Sequence, residues 1–136
     1  MVLVDTSVWS LALRRRPGSL NTGERRLVDE WKQLVKDGRA VLIGPIRQEI
    51  LSGLREFTTF ESLRGLLSSF RHLAIEPGDY DRAAEFFNRC RAKGVSGGHV
   101  DLLIASVACR LDIPVFTTDP DFKGYAQHLP LELLEP

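Results

Sequence analysis

Cysteine is nearly absent from this sequence: Cys90 and Cys109 are the only two in 136 residues. Neither belongs to a CxxC pair or a Cys/His cluster, which argues against a zinc site. Both fall in expected helices, where buried reduced thiols suit a reducing cytosol. Long apolar runs are also missing. The opening Met-Val-Leu-Val-Asp has no basic leader and no extended hydrophobic core, so neither a signal peptide nor a membrane span is expected. A cytoplasmic location follows as the expectation. Charge of one sign is lacking too, because 18 basic residues balance 18 acidic ones. No global field attracts nucleic acid or membrane, so any polyanion must be held by a local patch. Repeats, low-complexity tracts and long linkers are absent, and residues 1–136 read as a single domain.

What is present is alternation. Val2-Leu3-Val4 reads as a buried strand that stops at Asp5. Thr6 and Ser7 can cap a following helix, which Arg14-Arg15-Arg16-Pro17-Gly18 terminates. A second helix is expected from about Thr22 to Lys36, then a strand at Ala40-Val41-Leu42-Ile43. Gly44-Pro45 starts a third helix, with Pro45 at a favoured first position. Further helices are expected at about 61–70 and 80–92, separated by a strand at Leu73-Ala74-Ile75. Residues 99–111 give the clearest helix, Val115 to Thr118 the next strand, and Leu131 to Leu134 a last edge strand. Strands alternating with helices predict an α/β fold with a mostly parallel sheet of four to five strands, covered on both faces.

Four acids stand at element boundaries: Asp5, Glu49, Asp101 and Asp119. Asp5 and Asp119 each close a strand, and ligands of open α/β sheets bind beyond such carboxyl ends. Asp5 reads equally as a helix N-cap. Glu49 lies three residues from Ile46 on the helix striped by Ile46, Ile50 and Leu54, which predicts a carboxylate beside the core-facing side. A buried carboxylate needs an arginine, a proton or a metal. Asp101 occupies the first turn of its helix, where an acid also complements the helix dipole. Asp119 precedes Pro120 in a common turn sequence, and Asp121 reads as a cap or a supporting residue.

Four carboxylates gathered at one rim repel one another unless a cation joins them. Mg²⁺ and Mn²⁺ are hard cations that take oxygen ligands, and metal-assisted phosphodiester cleavage is the matching chemistry. The hydroxyls of Thr6 and Ser7 could hold Asp5 or a phosphate. Arg14, Arg15 and Arg16 are candidates for phosphate contact or for gripping an acidic partner, although basic runs are commonly just solvated surface. His72, His99 and His128 form no convincing set.

Four segments carry a resemblance: Val2-Leu3-Val4-Asp5-Thr6-Ser7-Val8-Trp9, Pro45 to Gly53, Asp101-Leu102-Leu103-Ile104-Ala105, and Thr117 to Phe122. In this order they resemble PIN-domain ribonucleases, and within them the VapC toxins of prokaryotic toxin–antitoxin pairs. The resemblance implies a three-layer α/β/α fold and endonucleolytic cleavage of RNA, with Asp5, Glu49, Asp101 and Asp119 as the catalytic, metal-binding acids for Mg²⁺ or Mn²⁺. It also implies a homodimer and inhibition by a VapB-like antitoxin. Two other readings compete. A non-catalytic or housekeeping PIN-domain protein would bind RNA without serving as a toxin. Phosphoryl transfer through an aspartyl phosphate at Asp5 would want a second Asp at the position Ser7 occupies.

Overall fold

A computed structural model describes residues 1–136. The elements run β1 (Val2–Val4), α1 (Thr6–Leu13), a 3-10 turn (Pro17–Ser19), α2 (Thr22–Lys36), β2 (Ala40–Leu42), α3 (Gly44–Leu51) and α4 (Phe57–Ser68). They continue through β3 (Arg71–His72), α5 (Pro77–Ala92), α6 (His99–Leu111), β4 (Val115–Phe116) and α7 (Asp121–Ala126). The four strands form one parallel sheet in the order β3-β2-β1-β4, flanked by the helices. None of the helices is long and apolar enough to cross a membrane.

A parallel strand covered on both faces must be apolar throughout, and β1 and β2 meet that demand. Val2, Leu3, Val4 and Leu42 are wholly buried. Burying each such side chain stabilises by about 1.5–3 kcal/mol relative to exposure. Trp9 extends this core from α1. Its indole N–H donates to the Val4 carbonyl at 2.9 Å, and its ring meets Trp31 and Phe70 edge-on. The chain thus fixes α1 against the end of β1, immediately behind Asp5.

Helix boundaries follow local hydrogen-bond chemistry. Asn21 and Glu24 form a reciprocal capping box that starts α2. Helix α5 begins at Pro77, three residues before the expected Tyr80, because Pro fits the first helical position without losing a hydrogen bond. Asp79 then accepts from the Glu76 N–H at 2.8 Å. The Asp79 carboxylate is completely buried and also receives Arg110 of α6 in a bidentate pair, at 2.8 and 3.0 Å. This pair ties the start of α5 to the end of α6.

Other expected boundaries shift as well, and β4 ends at Phe116 rather than Thr118. Helix α4 begins at Phe57 rather than Glu61. The strand expected at Leu73–Ile75 lies at Arg71–His72, an exposed edge strand, and Leu73 only prolongs its pairing through a bond to the Leu42 carbonyl. Residues 131–134 do not form a strand. They contribute one bridge, Leu133 beside Val115, with two backbone hydrogen bonds.

Candidate active site

With every strand parallel, the carboxyl ends of β1, β2 and β4 open on one rim. The chain steps outward from β1 to β2 and β3, then returns to place β4 on the other side of β1. Ligand crevices of open α/β sheets form at such a reversal. Asp5 leaves β1 there, and Thr117-Thr118-Asp119 leaves β4 beside it.

Asp5 is the N-cap of α1, so Thr6 and Ser7 do not take that role as expected. The two readings of Asp5 are compatible, because all its side-chain hydrogen bonds fall on Oδ2. That oxygen accepts from the Ser7 N–H at 3.4 Å, the Ser7 hydroxyl at 2.8 Å and the Thr117 hydroxyl at 2.8 Å. Oδ1 is left for another partner. Ser7 Oγ accepts from the Thr118 N–H, and Thr117 Oγ1 accepts from the Asp119 N–H, both at 3.0 Å. These two hydroxyls therefore stitch the end of β4 to Asp5.

Asp101, Asp119 and Asp121 each bring one carboxylate oxygen within 4.8 Å of the others. Asp119 is shaped by its own turn, with Oδ1 accepting from the Asp121 N–H at 2.9 Å. Asp121 does not cap α7; Pro120 holds the cap position and Asp121 sits in the first turn, facing the other two acids. Asp101 accepts a 2.8 Å hydrogen bond on Oδ2 from the Tyr125 hydroxyl. Burial pushes its carboxyl from 3.8 up to about 6, against the Tyr125 hydrogen bond and with help from the charges of Asp5, Asp119 and Asp121. Asp5 thus adds to the field that the trio creates.

Glu49 departs from its expected surroundings. It is exposed rather than tucked beside the core, because α3 is only eight residues long and its buried side is confined to Ile46 and Ile50. Its Oε2 accepts from the Thr6 hydroxyl at 3.0 Å, which holds it on the rim next to Asp5 but outside the trio. No arginine pairs with it. Arg47 instead reaches His72, Ser68 and the Arg64 carbonyl.

Arg14 and Arg15 line a cavity of about 400 Å³ between α1 and α2, together with Ser10, Leu11, Glu24 and Leu27. Ser7 and Thr118 also line it, so the cavity adjoins the acid cluster. Arg15 lies 3.4 Å from Glu24, and Arg16 is outside this cavity. The sequence reading missed Thr117 and Tyr125. A pair of hydroxyl residues ending a buried strand was the available signal for Thr117; Tyr125 offered only its place on the buried side of α7, beside Phe122.

The donor set is all oxygen, anionic and crowded, which suits a hard divalent cation. A PIN-domain profile matches residues 2–127. The chain belongs to the PIN-domain family. This PIN domain is 32% identical over 130 residues to Ribonuclease VapC11 of Mycobacterium tuberculosis and to VapC ribonuclease Mb1587 of Mycobacterium bovis, covering 93% of this chain and 92% of each relative. Its fold is shared with the FitAcB crystal structure from Neisseria gonorrhoeae at a TM-score of 0.77 and 22% identity, over 100% of this chain and 98% of that one. VapBC2 from Rickettsia felis, bound to a promoter DNA fragment, gives 0.75 and 21%, covering 98% of each chain. VapC20 of Mycobacterium tuberculosis, described as a sarcin-ricin loop cleaving toxin, gives 0.70 and 19%, covering 97% of this PIN domain and 99% of its own chain.

Proposed function

We propose that this PIN domain is a metal-dependent endoribonuclease that acts as the toxin of a VapBC-type toxin–antitoxin pair. The observation that carries this reading is the convergence of Asp101, Asp119 and Asp121 within 4.8 Å, with Asp5 adding its charge from the end of β1. Like charges so placed are tolerable only with protons or a cation. In this reading Asp5, Asp101 and Asp119 hold Mg²⁺ or Mn²⁺, Asp121 assists, and Glu49 approaches from the rim through Thr6. Bound there, the ion supplies Lewis acidity toward a phosphodiester oxygen and favours ionisation of an attacking water. Ser7 and Thr117 fix the direction of Asp5 and the turn that presents Asp119. Arg14 and Arg15 hold the backbone of the RNA strand in the adjoining cavity.

The identity with VapC ribonucleases supports cleavage of RNA, and the toxin–antitoxin complexes among proteins of the same fold support a VapB-like antitoxin as partner. We take the working form to be a cytoplasmic homodimer in which residues 1–136 act as one catalytic domain. The test is cleavage of purified RNA with Mg²⁺ or Mn²⁺, with EDTA, and by folded Asp5→Asn and Asp101→Asn variants. Cleavage should require the ion and vanish in both variants. RNA binding without cleavage under every ionic condition would instead assign a non-catalytic module.

A further inference from the structure

We propose that Tyr125 is a positioning residue for the metal centre: its hydroxyl fixes the Asp101 carboxylate in the orientation that meets Asp119 and Asp121. The inference rests on the reading of the acids as metal ligands. Its own basis is the way the tyrosine is held. Tyr125 is 1% exposed, and its ring meets Phe122 edge-on at 5.2 Å. The Cε1 edge of the ring lies close to Gly97, where a Cβ would stand 3.3 Å from Tyr125 Cε1 and 2.9 Å from Leu102 Cδ2. Glycine at that position lets the loop before α6 close over the ring. Held in this way, the Tyr125 hydroxyl donates to Asp101 Oδ2 at 2.8 Å.

Asp101 needs such a fixture more than its neighbours do. Asp5 has three donors on Oδ2, and Asp119 has the Asp121 N–H on Oδ1. The Asp101 carboxylate has Tyr125 alone. Without that donor, repulsion from three nearby acids favours rotation of the carboxylate away from the cluster, toward water. The hydroxyl opposes this rotation and leaves Asp101 with lone pairs for a cation. Hydrogen-bond partners behind metal ligands are worth about 10–100-fold in metal affinity or activity.

Calorimetric titration with Mn²⁺ tests this on the intact protein. Tyr125→Phe keeps the ring and removes the donor, and should weaken Mn²⁺ binding about tenfold or more. Cleavage should recover toward the wild-type rate when Mn²⁺ is raised by the same factor. Phe86→Leu, which disturbs the core at α5 without touching the site, should leave Mn²⁺ affinity unchanged. Equal loss in both variants, or unaltered binding in Tyr125→Phe, overturns the proposal. In the unsubstituted protein the Tyr125 hydroxyl proton should give a slowly exchanging NMR resonance that shifts on adding Mg²⁺; an unmoved resonance also overturns it. Should the wild type show no Mn²⁺ binding that Asp101→Asn removes, the metal reading itself falls and this inference with it. Should the wild type bind and Tyr125→Phe bind equally, only the role of Tyr125 falls.

Discussion

Arg110→Met strands a carboxylate in the protein interior while retaining most of the arginine stem. Asp79 is 0% exposed, and Arg110 supplies its two strongest side-chain contacts, at 2.8 and 3.0 Å. What remains is the Glu76 N–H and a longer 3.3 Å contact to the more exposed Arg82. Removing one partner of a buried pair costs about 3–5 kcal/mol, and the residual contact to Arg82 points to the lower end, about 3 kcal/mol. The sign of the pH dependence is fixed by the same geometry. Burial works to raise the Asp79 carboxyl, but the Arg110 and Glu76 N–H hydrogen bonds outweigh it and hold Asp79 below the ordinary 3.8. Its stabilisation is therefore complete above that value and is lost as pH falls below it. In Arg110→Met the bare carboxylate prefers a proton, so the variant gains on acidification and its deficit narrows from pH 7 to pH 4. Adding Asp79→Asn to Arg110→Met removes the stranded charge and should recover about 1 kcal/mol or more. Urea unfolding followed by the fluorescence of buried Trp9 and Trp31 measures all of this. A deficit below about 1 kcal/mol, or one independent of pH, refutes the argument. Metal affinity serves as the internal control. Arg110 lies nine residues beyond Asp101 on α6, about 14 Å along the axis, and should not affect it.

Asp101→Asn should stabilise the metal-free protein at pH 7.5 while abolishing cleavage. The rise from 3.8 to about 6 means that ionisation of Asp101 begins to cost stability as pH climbs above 3.8, and the full penalty applies above about 6. Two pK units are worth about 3 kcal/mol, which partial exposure reduces to about 1–2 kcal/mol; the gain should disappear at pH 4. Thermal melts in EDTA decide it, and an equal gain at both pH values would contradict the reasoning. Glu49→Gln should lower cleavage far less than Asp5→Asn at saturating Mn²⁺, because Glu49 is exposed whereas Asp5 is buried and its charge acts on Asp101. Equal losses in single-turnover rates would place Glu49 at the centre of the site instead.

The buried strands β1, β2 and β4 and the long helices were legible because apolar periodicity reports burial directly. Helices α2 and α6 match the sequence reading end to end. Strand β3 was not, since Arg71 and His72 are exposed and join the sheet through backbone alone. Glu49 was misjudged because a three-residue offset from Ile46 predicts one side of a long helix, whereas α3 ends two residues later at the rim. The acids at strand ends were visible as a set, although their joint placement depends on the return of β4 beside β1. Tyr125 was illegible for a simpler reason: its partner stands 24 residues away, and nothing local marks the hydroxyl.

The stitch between Thr117 and Asp5 spans 112 residues, nearly the length of the chain. A polypeptide emerging from its ribosome therefore carries Asp5 long before the segment that completes the rim. Catalytic competence cannot precede release of that last stretch. Any chain truncated before β4 lacks Thr117, Asp119 and Asp121 and cannot assemble the acid cluster.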